Sequence, residues 1–182
     1  MVQNPLKQNL WNTAAKAGLV FGMISSAYLF LAQALGTTEM PAMLTSVISF
    51  VLWAVKFWAC IYLMRTVMKK FATANPEADN STTFRLGTAT ALLSAIVYAA
   101  VSFANVAYIS ADTFALEINK TLEQMAPMMD SNSMNMMDTF IENMPQITFF
   151  SNLLYCFAFG TVLSAILSRN IPTRNPFQSE KL

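Results

Sequence analysis

The chain has no histidine, two cysteines and five glycines, and only 12% of its 182 residues are charged. Without histidine there is no Ser-His-Asp or Cys-His arrangement, no imidazole metal ligand and no imidazole proton shuttle. Two cysteines do not build a disulfide scaffold. A soluble domain carries about 25% charged residues. Half that fraction, with a net charge of +1, excludes a highly charged nucleic-acid binder. The apolar content excludes disorder. No spacing of the remaining acids singles out a general acid and base pair. We therefore expect no enzyme activity, no cofactor and no nucleic-acid partner. What is abundant is apolar: 55% hydrophobic residues, with 14 Phe and 13 Met.

Those residues gather into four windows long enough to cross a bilayer core, which takes about 20 helical residues. The predicted spans are residues 14–35, 41–64, 86–109 and 147–167, joined to one another as a single membrane domain with a long loop at 110–146. Backbone groups in lipid must be satisfied within the segment, so the spans are expected to be helices. Lys7 and Lys16 precede the first apolar run, and Ala32-Gln33-Ala34 resembles a signal-peptidase site. The run is long for a signal peptide, and Gly18 and Gly22 give it a packing face, so it is read as a retained span.

Positive charge sets orientation. Nine of the eleven Lys and Arg lie before or in the first turn of the first span, between the second and third, or in the tail. Lys120 alone lies in the long loop, together with most of the acids. This predicts both termini inside and residues 110–146 outside.

Helices in lipid associate through small residues that let backbones approach. The first span carries Gly18, Gly22 and Ser26 at four-residue spacing; the third carries Gly87, Ala91, Ala95 and Ala99; the fourth carries Cys156, Gly160 and Ser164. Residues four apart share a helix face. The fold expected is all-α, a compact four-helix membrane bundle, with homo-oligomerisation through Gly18 and Gly22 as the competing use of that stripe. The second span has few such residues. It has Lys56 instead, roughly 13 Å of helix rise from Arg65.

An ionisable group inside a membrane is costly and often functional. No acid lies in any span to pair with Lys56. Its expected partners are the polar face of the third span: Ser94, Tyr98, Ser102 and Asn105. Three roles are open to it: a snorkelled or structurally satisfied side chain, a contact for an anionic lipid, or a lining group of a conduction path.

The 110–146 loop is too long for a bare connection. Phe114, Ile118, Leu122 and Met125 follow helical spacing, as do Met134, Met137 and Met144, with Pro127 between the two stretches. Two short amphipathic helices are expected on the outer mouth or at the lipid surface. Met134, Met136 and Met137 offer soft thioethers for Cu(I), against the plainer use of Met as a flexible apolar filler. Cys60 and Cys156 are expected at depths differing by on the order of 10 Å, too far for a disulfide.

Phe84-Arg85-Leu86-Gly87, the exit through Tyr98 and Tyr108, and the ending Leu163-Ser164-Ala165-Ile166-Leu167 before Ser168-Arg169-Asn170-Ile171-Pro172 form a further pattern. Together they resemble the Bacteroidota membrane proteins catalogued as domain of unknown function 4199. The resemblance implies a bacterial inner membrane and carries no catalytic residues. It also implies, by genomic neighbourhood, a glycosyltransferase acting on polyprenyl phosphate as a partner. The function expected is a non-enzymatic accessory subunit binding a partner protein or a membrane lipid. The alternative is a small transporter or flippase for a lipid-linked or anionic solute, with Lys56 in the path.

Overall fold

Each apolar window is helical, and the helices run beyond the windows. The computed structural model describes residues 5–38, 40–125 and 131–171. Its elements are α1 (Pro5–Gly36), α2 (Ala42–Ala74), α3 (Asn80–Ala104), α4 (Ala111–Met125), α5 (Ser131–Glu142) and α6 (Met144–Arg169), with no strand among the described residues. α1, α2, α6 and α3 with its extension are each long and apolar enough to cross a membrane. The chain is a multi-pass membrane protein built as a helical bundle.

Three helix ends overshoot the predicted spans. α1 begins at residue 5, α2 continues to 74 and α3 begins at 80, and all three extensions lie at one end of the bundle. An apolar window marks only the stretch in hydrocarbon; a helix continues into water wherever its backbone bonds and side chains support it. At this end they do. Asp79 caps α3 by accepting from the Thr82 backbone N–H at 2.7 Å and from the Thr82 hydroxyl at 2.6 Å. Asn9 of α1 donates to Asn75 at 3.0 Å, and Asn75 donates to the Phe71 carbonyl at 2.8 Å.

α3 is the centre of the bundle, with α1 on one side and α6 on the other. The contacts run Gly18 to Leu93 and Gly22 to Val97, so α1 is parallel to α3. They run Gly87 to Ser164 and Gly160 to Ala91, so α6 is antiparallel. The small stripes thus serve contacts within the chain. A Cβ added at Gly22 would stand 2.6 Å from the Val97 Cβ, and one at Gly18 would stand 2.7 Å from that of Leu93. Only glycine admits that approach. Ala95 and Ala99 are fully buried, as are Thr90 and Ser164, while Leu19, Val20, Met23, Leu154 and Val162 face outward. Small residues inside and large apolar residues outside is the pattern of packing in lipid, where burying a leucine gains nothing over leaving it among acyl chains. The buried hydroxyls turn to their own helices: Ser26 donates to the Gly22 carbonyl, Thr90 to Leu86 and Ser164 to Gly160.

At the overshooting end the packing changes character. Leu10, Met68, Phe71, Leu86, Leu167 and Ile171 form a core of large buried side chains there. α2 contributes Met64, Met68 and Phe71 to it, and these are its buried residues. Towards its other end α2 stands away from the bundle: Trp58 is 67% exposed and Met43 82%.

α3 does not stop cleanly. Asn105–Ile109 form a π-helical turn, closed by the Ser110 N–H donating to the Asn105 carbonyl at 2.8 Å. Such turns re-aim the residues after them. α4 and α5 follow, with Asp112 in the first turn of α4, where a negative charge suits the helix dipole. α4 touches the π turn and α5 touches α6. The expected break at Pro127 lies outside the described residues, as does the tail beyond residue 171.

Candidate functional site

On α2, Trp53, Lys56, Phe57, Cys60 and Met64 recur at three- and four-residue spacing and so share one face. That face does not close against the bundle. Between it and α1, α3 and α6 lies a cleft of about 170 Å3, lined by Phe21 and Ser25 of α1, Ser94 of α3, and Tyr155, Cys156 and Phe159 of α6. The aromatic rings form a connected wall. Trp53 stacks on Phe57 at 5.4 Å between centroids, Phe57 meets Phe159 at 5.8 Å across the cleft, and Phe159 stacks on Tyr155.

Lys56 sits at this wall with its ammonium between two rings. Its Nζ lies 4.7 Å from the centre of the Tyr28 ring and 5.3 Å from that of Tyr98. The face of an aromatic ring is electronegative, so each contact attracts a cation, by about 0.5–2 kcal/mol depending on desolvation. Lys56 therefore bridges α2 to both α1 and α3. No acid lies in the apolar spans to neutralise it.

The structure brings together some of the residues expected around Lys56 and not others. Tyr98 contacts it and Ser94 lines the same cleft. Ser102 is buried, and its hydroxyl has no hydrogen-bond partner among the described residues. Asn105 is used elsewhere: its Oδ1 accepts from the Ser110 hydroxyl at 3.1 Å, and Ser110 in turn accepts from the Gln33 amide at 2.6 Å. Asn105 lies about 10 Å of helix rise beyond Tyr98, and its chain of bonds through Ser110 to Gln33 ties the end of α1 to the end of α3. Tyr28 was missed. Its signal was a tyrosine in mid-span rather than at an interface, where Tyr is usually found.

The two cysteines, expected at separate depths, both line the cleft as free thiols. In α5, Met134 and Met137 are three residues apart and share a face, whereas Met136 is rotated about 160° from Met134. The helix therefore turns Met136 of the candidate Cu(I) set away from Met134 and Met137. No cluster of three or more His, Cys, Asp or Glu suited to a metal occurs among the described residues.

A helical membrane bundle with an aromatic cleft and a single intramembrane cation is the class of protein that fold and site define. The chain belongs to the family described as Protein of unknown function (DUF4199), which matches residues 16–169. That match covers all four long helices apart from the first turns of α1. No curated protein and no solved structure matches the chain.

Proposed function

We propose that this protein is a non-enzymatic accessory subunit of a bacterial inner membrane, with both termini cytoplasmic and α4 and α5 outside, that binds an anionic lipid in the α2 cleft. The observation that carries this reading is Lys56: a cation at the wall of an intramembrane cleft, held by neutral rings and opposed by no carboxylate. Rings orient the ammonium without cancelling its charge, so it remains able to attract an anion. The orientation rests on the Lys and Arg bias of the loops. A partner enzyme acting on a lipid-linked phosphate, as the family resemblance implies, would present such a ligand.

A second reading, a small flippase or transporter, is favoured by one observation: α2 forms one side of the cleft yet is buried chiefly near one end. One experiment separates them. Native mass spectrometry of protein gently extracted from membranes should show retained anionic lipid, lost in Lys56→Leu. Reconstituted protein should move no lipid analogue across liposomes. Flux that depends on Lys56 selects the transporter. A Lys56→Leu protein that is more stable, keeps its lipid and keeps its cellular role removes both.

A further inference from the structure

A second cavity lies at the overshooting end of the bundle, apart from the Lys56 cleft. It measures about 570 Å3, within the ~300–1,000 Å3 range of small-molecule sites. α1 and α3 form most of it. Leu10, Ala89 and Leu92 give it an apolar floor, Trp11 stands beside it, and Lys7 and Arg85 are on its rim. The gap lies below the level of the close α1–α3 contact at Gly18.

We propose that this cavity is a binding site for an anionic phospholipid, with an acyl chain against Leu10, Ala89 and Leu92 and the phosphate on Lys7 and Arg85. Three observations point to that ligand. The site is mostly apolar, with Thr82 and Thr88 the polar exceptions, and carries Lys7 and Arg85 at its rim, the layout of a lipid rather than of a free anion. Arginine grips phosphate with two parallel N–H donors, and lysine adds a point charge. The rim lies at the level where charged residues and Trp11 mark the membrane surface, and basic pockets there suit anionic headgroups. The acid at the start of α3 offsets part of the Arg85 charge, and Lys7 and Arg85 together still leave the rim net positive. The Thr82 backbone N–H and hydroxyl hold that carboxylate, Asp79, at the α3 cap.

The membrane orientation is shared with the reading above, but Lys56 has no part in this site. The test therefore uses a local reporter. In the full chain with Trp53→Phe and Trp58→Phe, Trp11 is the only tryptophan. Its fluorescence in mixed micelles should be quenched by phosphatidylglycerol brominated on the acyl chain about tenfold more effectively than by brominated phosphatidylcholine. Lys7→Gln with Arg85→Gln should abolish that preference, because both residues are exposed and only the headgroup contact is removed. Ala89→Leu should weaken quenching by both lipids by filling the floor. Lys56→Leu should change neither. Equal quenching by the two lipids, or a preference that survives Lys7→Gln with Arg85→Gln, overturns the proposal. Displacement of the brominated lipid by millimolar inorganic phosphate would make the rim a free-phosphate site and overturn it as well.

Discussion

α3 and α2 have nearly the same apolar character and opposite situations. α3 is enclosed by α1 and α6 through small residues at fixed spacing. α2 has no comparable stripe; it is fixed at one end by Met64, Met68 and Phe71 and bridged at mid-length by Lys56. Hydropathy separates membrane from water, but it does not separate core from periphery within the membrane. Residue size does. A helix that offers only large side chains cannot approach its neighbours closely, and in lipid nothing drives it to.

The largest effect that should follow from this contrast is at Gly160. A Cβ there would overlap that of Ala91, so Gly160→Val should destabilise the bundle by about 1–3 kcal/mol through overpacking. Equilibrium unfolding in detergent would show it, and an unchanged midpoint would mean that α6 is not locked on α3. Next is the bridge. Tyr28→Leu with Tyr98→Leu should remove the ring contacts of Lys56 and loosen α2, at a cost of about 1–2 kcal/mol. Faster amide exchange confined to α2 would distinguish this from general unfolding. Asp79→Ala should cost about 1 kcal/mol by uncapping α3. The hydrogen bonds from Thr82 hold the Asp79 carboxyl below its usual value. Its contribution is therefore present at neutral pH and lost as pH falls through the lowered value, and solvent screening keeps the pH-dependent part small. Asp79→Ala should flatten that acid limb in a melting-temperature profile. The smallest effect belongs to the far half of α2: Trp58→Ala should shift stability by less than about 0.5 kcal/mol. A large loss there would show α2 to be held by contacts other than those described.

Much of this architecture could be read from spacing. The stripe Gly87, Ala91, Ala95, Ala99 announced the central helix, and its counterparts on the first and fourth spans announced its neighbours. The scarcity of small residues in the second span carried the position of α2 as well, though as an absence it is easily passed over. The site was less legible. Lys56 stood out because it is charged, and Tyr98 because it shares a face with Ser94. Tyr28 depended on the register between two helices, which no single-helix pattern contains. Asn105 was misplaced because a shared face does not give depth: it stands at the end of α3, where Ser110 and, through it, Gln33 are its partners.

The way α2 is fastened turns its length into amplification. Its buried residues lie near one end, and the Asn9–Asn75 bond steadies the connection beyond them. At 1.5 Å of rise per residue, a tilt of about 10° around Met68 carries Lys56 roughly 3 Å and Met43 roughly 6–7 Å. Small side-chain rearrangements near the anchored end are thus magnified at the cleft, and magnified again at the opposite surface. With a ligand in the cleft, a disturbance at Phe71 and the occupancy at Lys56 would become two readings of a single angle.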